Sequence, residues 1–265
     1  MRFMSIASGS SGNCIYVGSD STHLLIDTGI SKKRVEEGLK KVELSGKEVS
    51  AILITHEHLD HISGLGVFLR KYPVPVYSAY ETIEEIKKTA SLGKIPLDCF
   101  VPIDISNDLS IGDLKIKALE TSHDAVHPLC YRVEDEKSSV AVVTDLGEYD
   151  ENLIHHLQHL DGLLLESNHD IRMLETGPYP YYLKRRILGE KGHLSNESCG
   201  QFLNYLLHDN MKHIFLGHLS MHNNLEELAN TSVRLEIDTG FCPYKGNDFQ
   251  IEVAKRNSPS SLVYL

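Results

Sequence analysis

Short apolar runs punctuate this chain, and most of them end on a polar residue able to ligate a metal or bind an anion. Runs of this kind, bounded by turn-forming residues, predict buried strands. Residues 14–17 follow a glycine- and serine-rich loop at 8–13, and residues 23–26 end in Asp27-Thr28-Gly29. Residues 51–54 are closed by Thr55, and residues 114–119 lead to Thr121-Ser122-His123-Asp124. Residues 162–165 lead to Glu166, and residues 214–216 to Gly217-His218. Residues 74–77 and 249–253 read as further strands, and 130–134 with 140–144 as a hairpin around Asp135-Glu136-Lys137. Helices are predicted at 31–41, 62–72, 81–91, 150–159, 180–188, 195–208 and 225–236, with Ser31 and Ser195 as N-caps. No repeat or linker divides the sequence. The pattern therefore predicts one domain over residues 1–265, of α/β (α+β) class, with two sheets flanked by helices.

Composition narrows the class. Hydrophobic residues are 41% and charged residues 24% of the 265, enough for a sizeable core without disulfide staples. No apolar run has the length of a bilayer crossing, so no membrane association is expected. The opening Met1-Arg2-Phe3-Met4-Ser5-Ile6 is too short and soon too polar for a secretory signal. Cys14, Cys99, Cys130, Cys199 and Cys242 are odd in number and lack C-x-x-C spacing, which predicts free thiols and a cytoplasmic location. A net charge of −11 argues against a surface that coats nucleic acid. It leaves room for a nucleic-acid enzyme, because bound dications change the local field by several charges.

The chemistry collects in His56-Glu57-His58-Leu59-Asp60-His61, directly after a strand. Three imidazoles and a carboxylate suit zinc, manganese or iron. Other strand ends repeat the theme with Asp27, His123, Asp145 and His218. Any one of these is an ordinary strand-end turn residue. Together with the hexamer they point to ligands converging on one sheet edge.

The set Thr55-His56-x-His58-x-Asp60-His61, followed by His123, Asp145 and His218, resembles the metallo-β-lactamase-fold hydrolases. The resemblance covers essentially the whole chain. It implies an αββα four-layer sandwich with two divalent ions at one edge. It implies His56, His58 and His123 on the first ion, Asp60, His61 and His218 on the second, and Asp145 bridging them. Asp27 is similar to the family's acid that orients ligand histidines from behind. The implied nucleophile is a metal-bridging hydroxide, with Asp60 steering its proton.

A finer resemblance is to the YycJ/WalJ group. It rests on Ala7-Ser8-Gly9-Ser10-Ser11-Gly12-Asn13, Glu166-Ser167-Asn168-His169-Asp170, Gly192-His193-Leu194-Ser195-Asn196-Glu197, and His218-Leu219-Ser220 with Asn223-Asn224. This implies a 5′-directed exonuclease with DNA, rather than RNA, as partner. His218-Leu219-Ser220 is also similar to the His-Phe-Ser motif of tRNA 3′-processing endonucleases. The second catalytic histidine of those enzymes corresponds to His193, 25 residues before His218, which is expected to serve the leaving oxygen. Only 72 residues separate Asp145 from His218, too few for the large insertion of RNA-processing relatives.

For phosphate positioning, the 8–13 loop offers Ser10 and Asn13, and the basic run Lys184-Arg185-Arg186 offers Arg185. Gly177-Pro178-Tyr179-Pro180-Tyr181-Tyr182 reads as a rigid loop and helix start whose rings are also able to stack on bases. His155, His156 and His159 read as surface residues. The competing expectation is a small-ester or thioester hydrolase of the glyoxalase II or lactonase type, which shares the hexamer but not the His193 and His218-Leu219-Ser220 features.

Overall fold

The computed structural model describes residues 1–265. Its strands are β1 (Arg2–Ala7), β2 (Cys14–Gly18), β3 (His23–Ile26), β4 (Ala51–Leu53), β5 (Val76–Ser78), β6 (Phe100–Pro102) and β7 (Leu109–Ile111). They continue with β8 (Leu114–Glu120), β9 (Leu129–Glu134), β10 (Ser139–Val143), β11 (Gly162–Glu166), β12 (His213–Gly217), β13 (Ile251–Val253) and β14 (Val263–Tyr264). The helices are α1 (Lys32–Leu39), α2 (Leu59–Ile62), α3 (Leu65–Lys71), α4 (Tyr80–Lys88), α5 (Glu151–His156), α6 (Ile171–Thr176), α7 (Tyr181–Ile187), α8 (Asn196–Leu206) and α9 (Glu226–Thr239).

The strands form two seven-stranded sheets, in the orders β14-β1-β2-β3-β4-β5-β6 and β13-β12-β11-β10-β9-β8-β7. In each sheet an antiparallel section passes into parallel strands: β3 to β6 in the first, β10 to β13 in the second. Parallel neighbours need crossovers, and helices supply them.

Strand residues alternate between two apolar environments. Ile15 and Val17 of β2 face a layer shared with Leu164 and Phe215 of the other sheet, while Cys14 and Tyr16 face Val35, Leu39 and Phe68 under the outer helices. In the second sheet Val140 and Val142 point into the shared layer, and Ala141 and Val143 meet Phe202, Leu203 and Val233 of α8 and α9. Both faces of each central strand are therefore buried, which is why these strands read as continuous apolar runs. The result is the expected four-layer αββα sandwich. No helix is long and apolar enough to cross a membrane.

Two features depart from the sequence reading. The helix expected at 62–72 is α3, starting later at Leu65, and the unexpected short α2 precedes it, separated by Ser63 and Gly64. At Gly64 a Cβ would lie 1.8 Å from the Ile30 carbonyl oxygen, so the chain passes too close to its neighbour for a regular helix with a side chain there. In addition, β1, β6, β7, β14 and α6 are present without having been expected; β6 and β7 are edge strands with several exposed residues.

A candidate dinuclear metal centre

The carboxyl ends of β3, β4, β8, β10, β11 and β12 gather at one edge of the sandwich. Three of the strand-end residues there, Asp27, Asp145 and His218, have φ of 61°, 57° and 54°. This left-handed conformation costs about 1 kcal/mol or more in a non-glycine residue. It turns the backbone sharply and leaves the side chain at the sheet edge. Leu59 opens α2 immediately after His58, so Asp60 and His61 lie on one helical turn. The backbone of this turn presses against Gly29, where a Cβ would come within 1.6 Å of the Asp60 carbonyl oxygen.

The ligating atoms fall into two sets. His56 Nε2 lies 3.0 Å from His58 Nδ1, which lies 3.4 Å from His123 Nε2. Asp60 Oδ2 lies 3.6 Å from His61 Nε2 and 3.3 Å from His218 Nε2. Asp145 sits between the sets, with Oδ2 3.0 Å from His61 Nε2 and Oδ1 3.5 Å from His123 Nε2. Ligands at about 2.0–2.1 Å around a tetrahedral ion stand about 3.3–3.4 Å apart, so these spacings fit divalent metal in each set. Asp145 Oδ2 is also buried without a well-oriented donor, as expected of an oxygen built to meet a cation.

A ring of acceptors holds the histidines from behind. His61 Nδ1 donates to Asp27 Oδ2 at 2.7 Å, and His123 Nδ1 to the Gly192 carbonyl at 3.0 Å. His56 Nδ1 donates to Thr55 Oγ1 at 3.0 Å, and that hydroxyl donates to Asp27 Oδ2 at 2.9 Å. Glu166 Oε1 accepts from both His218 Nδ1 and His193 Nδ1, each at 2.8 Å. Glu166 is fully buried, and Leu146 N–H donates to its other oxygen at 2.8 Å. Burial opposes the charge on Glu166, but His193 and His218 outweigh it and hold the carboxyl below its usual range. Burial likewise opposes the imidazolium forms of His61 and His218, yet Asp145 and the other carboxylates push both upward.

A cavity of about 220 Å³ opens over the two sets. Ser10, His58, Asp60, His123, Asp145, Asn168, Arg186, His193 and His218 line it. Two expected substrate contacts lie elsewhere. Asn13 is fully buried and accepts from the Gly9 N–H at 2.9 Å, so it shapes the loop from inside. Arg185 points away from the cavity while its neighbour Arg186 reaches it, because adjacent helical residues diverge by about 100°. Arg186 is paired with Asp124 through Nε and, at 2.9 Å, Nη2. Glu166 was not among the expected site residues, although it ends an apolar run in the same way as Asp145.

The sequence signature of the metallo-beta-lactamase superfamily matches residues 7–183. The chain belongs to this superfamily. It is 38% identical to the exodeoxyribonuclease YycJ of Bacillus anthracis, over 100% of this chain and 99% of that one. It is 37% identical to the exodeoxyribonuclease WalJ of Streptococcus pneumoniae serotype 2, over 88% of this chain and 86% of the relative. Among solved structures, Zn(2+)-bound PqqB from Methylobacterium extorquens superposes with a TM-score of 0.73 over 100% of both chains at 13% identity, a likeness of fold alone.

Proposed function

We propose that this member of the superfamily is a metal-dependent nuclease, and specifically a DNA exonuclease working from the 5′ end, with residues 1–265 acting as one hydrolase domain. The relatives named as exodeoxyribonucleases support this, over 99% of one and 86% of the other. The structural observation that carries it is His193. It stands outside the two ligand sets, lines the same cavity, and has its Nδ1 pinned by Glu166, leaving Nε2 for a substrate oxygen.

In this reading His56, His58 and His123 would hold one divalent ion, zinc, manganese or iron, and Asp60, His61 and His218 a second, with Asp145 available to both. Two such ions supply Lewis acidity toward phosphoryl oxygens and lower the pKa of water toward neutrality. Asp27 keeps His61 in the tautomer that offers Nε2. Asp60 accepts or steers the proton of the attacking water. His193 Nε2 donates to the leaving oxygen. Ser10 and Arg186 position phosphate at the cavity rim. The five unpaired cysteines support a reducing, cytoplasmic setting.

Metal-loaded protein incubated with 5′- and 3′-labelled DNA and RNA, single- and double-stranded, tests this. Nucleotide release from DNA 5′ ends is expected. Asp60→Ala should abolish turnover by orders of magnitude in a folded protein, and His193→Ala should lower kcat about 100-fold or more with little change in KM. Intact DNA alongside rapid hydrolysis of S-lactoylglutathione would instead establish the thioesterase reading.

A further inference from the structure

An acidic chain that takes a polyanion needs a local exception to its charge, and α7 is that exception. It carries Tyr181-Tyr182-Leu183-Lys184-Arg185-Arg186-Ile187 in a molecule of net charge −11. Leu183, Arg186 and Ile187 line the metal cavity, so one face of α7 forms its wall. Tyr181 and Tyr182 are each 75% exposed, which leaves two aromatic rings with no part in the core. Residues four apart share a helical face, which places Tyr182 beside Arg186 and Tyr181 beside Arg185. Of the two arginines only Arg186 lines the cavity, which makes Tyr182, one turn before it, the nearer of the two exposed rings. Tyr179, which precedes the helix, is half-buried, lines the cavity, and meets His222 edge-to-face at 5.8 Å. One aromatic ring, Tyr179, thus lines the cavity, and Tyr182 stands exposed three residues on, on the helix that carries Arg186.

We propose that Tyr182, continuing from Tyr179 and flanked by Arg186, is a stacking platform for the unpaired bases of a single DNA strand whose end enters the cavity. This rests on the nuclease reading above. Only unpaired, splayed bases expose the faces that such rings bind. The Arg186 N–H groups that Asp124 leaves unengaged offer donors to the backbone between stacked bases. The substrate is single-stranded at the reacting end, and a blunt duplex must fray before it is cut.

The test compares wild type, Tyr182→Ala and Tyr182→Trp, all metal-loaded, on three labelled DNAs. These are a single strand, the same strand with abasic sugars at the second and third positions from the cleaved end, and a blunt duplex. Wild type should show a KM about tenfold lower on the intact strand than on the abasic one, with the duplex slowest. Tyr182→Ala should raise KM on the intact strand about tenfold, leave kcat nearly unchanged, and lose the preference for bases. Tyr182→Trp should restore that preference. An alanine variant that still prefers the intact strand, or that weakens equally on both strands, overturns the platform while leaving the nuclease intact. Wild-type protein that cuts none of the three DNAs removes the nuclease reading and the platform together.

Discussion

Each imidazole that turns Nε2 toward the metal-binding atoms is engaged at Nδ1 by a fixed acceptor: Thr55, Asp27, the Gly192 carbonyl or Glu166. The type of these residues was legible in the sequence, because histidine and aspartate at the ends of apolar runs are ligand chemistry in a ligand position. Their partners were harder to see. Glu166 opens the motif Glu166-Ser167-Asn168-His169-Asp170, but the motif gives it no role, and its importance lies in where β11 ends relative to β12. Asn13 and Arg185 were misplaced for a related reason: residue type does not tell which way a loop side chain or a helical phase points. At this scale the informative substitution is Glu166→Gln, which preserves shape and removes the charge facing two histidines. Metal affinity, measured by competition with a chromogenic chelator, should fall about 10- to 100-fold. Turnover should fall further than metal occupancy alone accounts for, since His193 also loses its anchor.

Among the elements, the strands with both faces buried were the most legible, because their apolar runs are unbroken. The break at Ser63 and Gly64 that delays the helix expected at 62–72 was not legible. Ile62, Leu65 and Leu69 keep helical spacing across the break, and Ser63 and Gly64 are compatible with a helix locally. Tertiary contact decides it: Gly64 N–H donates to the Thr28 carbonyl at 2.9 Å, and Ser63 Oγ to the Gly29 carbonyl at 2.8 Å. These bonds tie the strand-end turn after β3 to the end of α2, which carries Asp60 and His61. Gly64→Ala should therefore act on stability and site together. Overpacking of this kind costs about 1–3 kcal/mol, a fall in Tm of roughly 2–10 °C by calorimetry. A loss of metal affinity should accompany it, whereas unchanged affinity would separate the turn from the site.

For the whole molecule, the sandwich divides the site between its halves. His56, His58, Asp60 and His61 follow β4 of the first sheet, while His123, Asp145 and His218 follow β8, β10 and β12 of the second. Metal binding should thus stabilise the packing of sheet on sheet. Loading at about 100 times the dissociation constant contributes about 2.7 kcal/mol, so Tm should rise by roughly 5–10 °C and return on chelation. A Tm indifferent to metal would argue against ligands drawn from both sheets. The shared apolar layer has a further consequence. Phe3 and Phe215 meet edge-to-face there at 5.3 Å between ring centres. Close-packed interiors transmit small volume changes. The girth of side chains deep in that seam therefore acts as a ruler for the gap between the two half-sites, and trimming or enlarging one of them offers a remote dial on catalysis that leaves every reacting group untouched.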